Sequence, residues 1–402
     1  MRAGPSQEEI RRQNLGALLR YVHVHGATSR AELTNELGLN RSTIGALTAD
    51  LATAGLVSER SPRETGRAGR AGRPSLVVRP ESARVYAYAY SIEVDRLRAA
   101  RIGLGGEVLA RRETDRPPGM LAEDTLPLLA AFVKEMQQGV PANSVYVGGG
   151  VAVCGMLRRD DGSEHVRPET GWVDGPLGGA LAADFGSDRP VLVGNAADVC
   201  AVAEHTRGVA AGCDNVIYLH RDVGVDAGII VGGQRLVGQG GYGGEVGHML
   251  VHPGGRSCGC GSRGCWETEI GEYAMLRAAG RDGLTGQGGV SGREATLAIV
   301  DAAARGDASA QAAIRQVGDW LGFGVANLVN IFNPGVVIFG GTLRDLYLAT
   351  AARVRSRLNS MALPAAREQV RLRTPQLGED AALIGAAELA FEHLLADPLD
   401  AG

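Results

Sequence analysis

The chain has little of several features, and each shortage excludes a class of protein. Only six of its 402 residues are cysteine. Three of them lie in one cluster, and Cys154, Cys200 and Cys213 are scattered, which is typical of buried free thiols in a reducing cytoplasm. No apolar run reaches the length of a membrane span, and the first residues have no signal-peptide core. We therefore expect a cytoplasmic protein with no membrane partner.

Lysine is nearly absent as well, since Lys134 is the only one among abundant arginine, glycine and alanine. We attribute this bias to genome base composition. The charge is unevenly distributed along the chain. Residues 1–80 contain twelve arginines and seven acidic residues, a balance of +5, so the net charge of −4 leaves −9 for the remainder. A basic head on an acidic body favours nucleic acid binding by the head alone.

The basic head contains three helical patterns. Apolar residues recur at helical spacing from Leu15 to Val22, and Gly26 ends that segment. Ser29, with a glutamate three positions later, is a capping box that begins a short second helix. Asn40 is suited to cap a third helix that has one apolar face. A tight turn between the second and third helices predicts a helix-turn-helix.

In a helix-turn-helix the start of the last helix enters the major groove of DNA. This geometry places Arg41, Ser42 and Thr43 toward base edges and phosphates, and we expect Thr48 on the same exposed side. Three amphipathic helices are also compatible with a small protein-interaction module. The residues after the third helix distinguish the two interpretations.

The segment after the third helix repeats glycine and arginine and then becomes strand-like at residues 76–78. Its guanidinium groups, Arg67, Arg70 and Arg73, suit the narrow minor groove and its phosphates. Taken alone, the repeat is also compatible with a solvated linker. Directly after a helix-turn-helix, it predicts the wing of a winged helix, and DNA binding by residues 1–80.

From about residue 84 the chain alternates between strand-like and helical patterns, which predicts an α/β body with sheets covered by helices. A chain of this length suggests two or three domains in all. The two lobes of such a body are compatible with a duplicated topology. The predicted strands are Val85–Ile92, Leu97–Ile102, Ser144–Val153, Val191–Val193, Val216–Leu219, Gly228–Val231 and Val336–Phe339, and the predicted helices include Leu126–Met136, Ala196–His205 and Ala310–Asn330.

The imidazole of His248 and three thiols fall within eighteen positions, among glycine, proline and arginine. His248, Cys258, Cys260 and Cys265 have the number and spacing of ligands that hold one tetrahedral Zn²⁺. A four-ligand site is closed, so such a zinc is structural and has no open position for a substrate. Small core residues or a disulfide are the alternatives, but a Cys-x-Cys pair amid glycine and arginine is a poor core segment.

These motifs together resemble the ROK family (repressors, open reading frames and sugar kinases), in its transcription-factor branch. The resemblance covers essentially the whole chain and is specific in the combination of two motifs, a Gly-Glu-x-Gly-His and a Cys-x-Cys-x₄-Cys. It implies a two-lobed, actin/hexokinase-like body with a sugar site between the lobes, and the same four zinc ligands. We expect a winged helix at 1–80 and a sensor domain at 81–402, with one lobe of 81–195 plus the C-terminal helix and another of about 196–380. The motifs are Gly244-Glu245-Val246-Gly247-His248, residues 258–267, residues 324–334 and Gly340-Gly341.

The resemblance to family kinases fails at three positions of the ATP machinery. The catalytic base of these kinases is an aspartate directly after an asparagine, whereas Asn195 is followed by Ala196, whose methyl group cannot accept a proton. On a helix Asp198 would be turned away by about 200°. The two phosphate loops are replaced by residues 91–95 and 222–226, which lack most of the expected glycines and add acidic residues. We therefore expect no ATP cofactor and no enzymatic activity.

The sugar-facing positions are retained. Asn195, Glu245, His248 and Glu267 match family positions that hydrogen-bond sugar hydroxyls, and acceptors with an amide suit a polyol. Without that context, the two glutamates are equally compatible with surface charges, and His248 with a zinc ligand only. The prediction is a sugar-responsive transcriptional regulator, a repressor, that binds an inverted-repeat operator as a homodimer or homotetramer. The effector is a sugar or a sugar phosphate, and the alternative is a ROK-type carbohydrate kinase.

Overall fold

The computed structural model describes residues 6–61, 75–117, 120–155, 157–160, 163–166, 177–184, 188–221, 224–281 and 292–400. The predicted wing arginines Arg67, Arg70 and Arg73 lie outside the described residues, as do Asp222 and Val223. Among the helices in the described ranges, none is both long enough and apolar enough to cross a membrane.

The head is built from three capped helices and a small antiparallel sheet. The side chains of Ser6, Ser29 and Asn40 each accept a hydrogen bond from a backbone N–H three residues later and so begin a helix. Gly26 and Gly38, both with positive φ, end the first two helices. The three predicted helices are confirmed. The elements are α1 (Gln7–His25), β1 (Thr28–Ser29), α2 (Arg30–Leu37), α3 (Arg41–Thr53), β2 (Val57–Arg60) and β3 (Val77–Pro80), with sheet order β1-β3-β2.

The face that α3 presents to solvent differs from the prediction at one residue. Arg41 and Ser42 are exposed and Thr43 is partly exposed. Thr48 is wholly buried, and its hydroxyl donates to the Gly45 carbonyl at 3.1 Å. The prediction that Thr48 faces DNA is wrong, because it lies four residues after the buried Ile44 and therefore on the same, packed face of the helix.

The first lobe of the body has a five-stranded sheet of order β10-β7-β4-β5-β6. The strands β4 and β5 are buried almost throughout because helices cover the sheet. The hairpin β8-β9 lies outside this sheet. The elements are β4 (Val85–Ile92), β5 (Arg96–Gly103), β6 (Val108–Asp115), α4 (Ala122–Gln137), β7 (Val145–Val153), β8 (Leu157–Asp160), β9 (Ser163–Val166), α5 (Leu177–Asp184) and β10 (Val191–Asn195).

The second lobe follows helix α6 (Ala196–Arg207) and has a sheet of order β13-β12-β11-β14-β15. Its core lies between this sheet and two long helices, Ala308–Phe332 and Leu343–Met361. The elements are β11 (Val216–Arg221), β12 (Val225–Val231), β13 (Gln234–Arg235), α7 (Glu267–Ile270), α8 (Glu272–Ala278), α9 (Gly292–Ala304), α10 (Ala308–Phe332), β14 (Val336–Gly341), α11 (Leu343–Met361), α12 (Pro364–Gln369), β15 (Arg371–Arg373) and α13 (Ala381–Ala396).

The two sheets share one topology. In each, three consecutive antiparallel strands are followed by two parallel ones that add on the side of the first strand. The structure thus displays the duplication that the sequence only allowed. The C-terminal helix α13 returns to the first lobe, where Gly150 of β7 lies directly against the Ala386 carbonyl. The predicted two-lobed α/β architecture is confirmed.

Candidate functional site between the lobes

Four side chains of the 244–267 segment converge into one cluster. The ligand atoms of His248, Cys258, Cys260 and Cys265 all lie within 4.8 Å of one another. The Cys258 Sγ lies 3.6 Å from His248 Nδ1, and the Cys260 and Cys265 sulfurs are 3.7 Å apart. A tetrahedral zinc with bonds of about 2.3 Å to sulfur and about 2.0 Å to nitrogen separates its ligands by about 3.6–3.8 Å. The cluster therefore has the geometry to hold a metal ion.

The loop that carries the thiols is shaped by a glycine and anchored by a tryptophan. Gly264 has a φ of 75°, and a Cβ there would collide with the His252 carbonyl oxygen. Only glycine permits this approach, which brings Cys265 into the cluster. Trp266 is completely buried, and its Nε1 donates to the Trp320 carbonyl of α10 at 2.8 Å. The cluster is therefore attached to the core of the second lobe.

The cluster is connected to two glutamates. The Nε2 of His248 lies 3.8 Å from the Glu245 carboxylate, and its Nδ1 lies 3.5 Å from Glu267 Oε1. The thiol of Cys258 donates to the same Glu267 oxygen at 2.8 Å. Burial and this hydrogen bond raise the pKa of Cys258, so a metal ion would have to displace its proton. The Nδ1 of His248 faces the thiols, and its Nε2 faces Glu245. One imidazole can therefore contact the cysteine cluster and a glutamate at the same time.

Asn195 joins this group from the other side of the cleft. It is the N-cap of α6: its Oδ1 accepts from the backbone N–H groups of Ala197 (2.7 Å) and Asp198 (3.3 Å). Its Nδ2 donates to the Gly155 carbonyl at 2.9 Å. Asn195 thus has a structural role that its sequence motif did not indicate, because the start of a helix leaves N–H groups that need acceptors.

Asp226, on β12, links Asn195 to the glutamates. Its carboxylate lies close enough to Asn195, His220, His248 and Glu267 to interact electrostatically with each of them. Burial raises the pKa of Asp226, against the lowering effect of His220 and of the Asn195 amide. By sequence, Asp226 belongs only to a damaged phosphate loop. Its position beside Asn195 depends on strand pairing, in which it lies opposite His220 of β11. We call Asn195, Asp226, Glu245, His248 and Glu267 the sugar side of the cleft, because the sequence predicts that all of them except Asp226 face a sugar.

The turn that replaces the first phosphate loop is closed upon itself. The Glu93 amide donates to the Arg96 carbonyl at 2.9 Å, which closes the turn between β4 and β5. The Glu93 carboxylate pairs with Arg98 and, at 3.3 Å, with Arg96, and it accepts from the Ser91 hydroxyl at 3.0 Å. Arg98 also donates to the Glu379 carbonyl at 2.5 Å. We call residues 91–98 the nucleotide side of the cleft.

A cavity of about 360 Å³ lies next to this turn and reaches Ala196 at the start of α6. His220 lines it, and the buried Nδ1 of this imidazole has no hydrogen-bond partner among the described residues. No sequence motif pointed to His220, which enters the cleft only because β11 ends there. The cavity has polar and charged walls, with Arg96, Arg98 and Arg344 facing Glu93, Asp345 and Glu379.

The predicted DNA-binding residues at the start of α3 form few contacts with other described residues of the protein. The Ser42 hydroxyl donates to Asn40 Oδ1 at 2.6 Å, and Thr43 contributes its backbone N–H to the same oxygen. Arg41 is exposed and forms no ion pair with any residue in the described part of the chain. Both exposed side chains are therefore available to contact another molecule.

The family model described as "ROK family" matches residues 89–393, and the chain belongs to the ROK family. The chain is 27% identical to the xylose repressor of Bacillus spizizenii over 394 residues, which cover 97% of each chain. A solved ROK family transcriptional regulator, described as a homologue of the E. coli MLC protein, has a TM-score of 0.76 and 26% identity, and covers 97% of this chain and 98% of its own. A ROK family glucokinase from Streptomyces griseus, solved with glucose and AMPPNP, has a TM-score of 0.63 and 28% identity. This match covers 98% of the glucokinase but only 76% of the present chain.

Proposed function

We propose that the protein is a sugar-responsive transcriptional repressor that binds operator DNA through residues 1–80. The observation that carries the proposal is the extent of similarity. A xylose repressor and a transcriptional regulator match head and body together, over 97% of this chain, whereas the glucokinase matches 76%. The exposed start of α3 supplies Arg41, Ser42 and Thr43 for the major groove.

We further propose that the body binds a sugar without phosphorylating it. Ala196 stands where family kinases have their catalytic aspartate, and the nucleotide side uses its own amide and carboxylate groups internally. A phosphate-binding loop requires free backbone N–H groups. Similarity to glucokinases supports the alternative, a carbohydrate kinase, and a coupled ADP-release assay over common hexoses distinguishes the two.

The metal proposed for the cluster is Zn²⁺, held by His248, Cys258, Cys260 and Cys265. Such an ion would supply no reaction chemistry here, because four protein ligands leave no open position. It would hold the loop that positions Glu245 and Glu267. Both carboxylates lie within 4 Å of the His248 imidazole, which supports this role.

For the effector, the structure favours an uncharged sugar over a sugar phosphate. The absence of a carboxylate at Ala196 removes one barrier to a phosphate. Asp226, however, brings a carboxylate beside Asn195 and close to Glu267. Like charges at short range in a partly dry cleft repel by several kcal/mol, so this side disfavours a phosphate group.

The DNA proposal is tested with an operator selected by the protein from random-sequence duplexes. A homodimer or homotetramer should select an inverted repeat with half-sites separated by whole helical turns. Arg41→Ala should weaken binding to the selected site by about 1–3 kcal/mol. Exchange of Arg67, Arg70 and Arg73 for alanine should weaken binding to DNA of every sequence and should reduce the salt dependence of the affinity. If the triple variant keeps the affinity and its salt dependence unchanged, the segment with these arginines is only a linker and does not contact DNA.

A further inference from the structure

Helix α6 runs between the two regions that a sugar-responsive repressor must connect. Its first turn is capped by Asn195 on the sugar side, and its last residue, Arg207, lies against α1 of the head. A helix of twelve residues is about 18 Å long and too short to bend appreciably. A displacement at the sugar side is therefore carried to the head end of the helix.

Arg207 holds the end of α1. Its Nη1 donates to the carbonyl oxygen of His23 at 2.8 Å and to that of Val24 at 3.4 Å. These belong to the carbonyl groups that the C-terminus of a helix leaves without intrahelical partners. The same nitrogen donates to the Gly105 carbonyl at 3.0 Å, in the turn between β5 and β6. One guanidinium thus connects α6, the head and the first lobe.

A buried carboxylate keeps Arg207 in this position. Glu388 of α13 accepts from Arg207 Nε at 2.9 Å and lies 3.0 Å from Nε2 of His23. The Gly105 amide donates to Nδ1 of His23 at 2.9 Å, and Nε2 of the same imidazole faces both Glu388 and, at 2.6 Å, Nη2 of Arg207. Burial alone would raise the pKa of Glu388, but His23 and Arg207 outweigh it and hold this pKa at about 2.

Close packing joins α6 to its neighbours on both sides. A Cβ on Gly228 of β12 would collide with the Ala197 carbonyl, and one on Gly385 of α13 would collide with the Val199 carbonyl. Such direct contact leaves no space in which α6 could shift independently. Near its end, the buried Glu204 accepts from the backbone N–H of Leu377 at 2.8 Å, just before α13 begins.

We infer that α6 transmits sugar binding to the DNA-binding head, and that Arg207 is the residue that passes the movement of α6 to α1. The inference rests on the proposed function, since it assigns the sugar to Asn195 and the operator to the head. Arg207 touches neither ligand. Its role is to couple two binding equilibria, and such coupling typically amounts to about 5–150-fold in affinity.

The first test compares Arg207→Lys with Arg116→Lys. Lysine keeps the charge beside Glu388 but has no planar fork to reach both carbonyl groups of α1. Arg116 is a matched control, because it is more deeply buried than Arg207 and donates to the backbone carbonyl groups of Glu93, Val94 and Met120 in the first lobe. The Kd for the selected operator is measured with and without D-xylose or D-glucose, and sugar affinity is measured calorimetrically without DNA.

We expect the sugar to change the operator Kd of the wild type and of Arg116→Lys by about tenfold or more, and that of Arg207→Lys by less than about twofold. Sugar affinity without DNA should stay within about threefold in all three proteins. An Arg207→Lys protein that responds like the wild type would overturn the inference. Equal loss of response in Arg116→Lys would overturn it as well.

The second test needs neither sugar nor DNA, so it remains decisive if the proposed function fails, and its single variant Asn195→Ala tests α6 even if Arg207→Lys does not fold. Asn195→Ala removes the cap of α6, and hydrogen exchange is followed in peptides that cover residues 20–28. We expect this distant change to speed exchange there by about fivefold or more, and Arg207→Lys to abolish that effect in the double variant. Unchanged exchange at 20–28 in Asn195→Ala would contradict the inference.

Discussion

The two sides of the cleft differ in how their carboxylates are engaged within the protein. On the sugar side, the carboxylates of Glu245 and Glu267 lie 3.8 and 3.5 Å from the nitrogens of the His248 imidazole, and Glu267 also accepts from the Cys258 thiol. On the nucleotide side, the Glu93 amide and carboxylate are bound by Arg96 and Arg98. The carboxylates predicted to face a sugar thus lie beside an imidazole, whereas those of the nucleotide side belong to an internal ion-pair cluster.

The largest effect on the sugar side should come from loss of the metal. Cys260→Ser removes one of four ligands, and structural zinc contributes folding free energy directly, about 10 kcal/mol or more in small zinc domains. We expect less than stoichiometric zinc, a lower thermal midpoint and no measurable sugar response. Cys213→Ser, a free cysteine outside the cluster, is the control. Metal analysis without zinc in wild-type protein purified without chelators would refute the assignment.

The next effect should follow Glu267→Gln. This change removes a charged acceptor for a sugar hydroxyl, which is worth about 1.5–3 kcal/mol, or roughly 10–100-fold in sugar Kd. Glu269→Gln is the matched control on the same helix, because the Glu269 carboxylate is turned toward His252 at 3.0 Å. Calorimetric titration should separate the two variants. Equal sugar affinity in both would remove Glu267 from the site.

A smaller effect is expected where the two sides meet. Ala196→Asp returns an acceptor to the sugar and should strengthen binding of a free sugar by about 1 kcal/mol, roughly fivefold, while abolishing any binding of a sugar phosphate. Ala196→Asn has the same shape and a neutral acceptor, so it should not abolish the binding of a sugar phosphate. Neither variant should release ADP in the presence of ATP and a hexose. Appreciable phosphorylation by Ala196→Asp would mean that the nucleotide side still holds ATP.

The smallest effect on sugar affinity should come from the nucleotide side itself. Glu93→Gln weakens the pairing with Arg98, so the free energy of unfolding should fall by about 1 kcal/mol, since the pair is partly exposed. The sugar Kd should change by less than about twofold, as it should in Glu135→Gln, which breaks an exposed ion pair with Arg112 in the same lobe. A tenfold change in sugar Kd after Glu93→Gln would show that the two sides are not separate.

Local patterns explain which features could be predicted. The helices of the head follow from caps such as Ser29 and Asn40, which act on N–H groups three residues away. The metal cluster could be predicted because its four ligands are close in sequence. The strands β4 and β7 could be predicted from apolar runs. The burial of Thr48 was missed because its side chain is polar, although its spacing of four residues from Ile44 places it on the packed face of α3.

Sequence alone determined the elements, the cluster of one histidine and three cysteines, and the family, because each depends on residue types at short spacing. Only the tertiary structure decided that Asp226 lies beside Asn195, and that Arg207 meets His23 and Glu388. These partners are separated by 31 to 184 residues. No periodicity connects positions so far apart. They meet because two sheets, the helix between them and the returning C-terminal helix are packed at close range, which is a property of the whole fold.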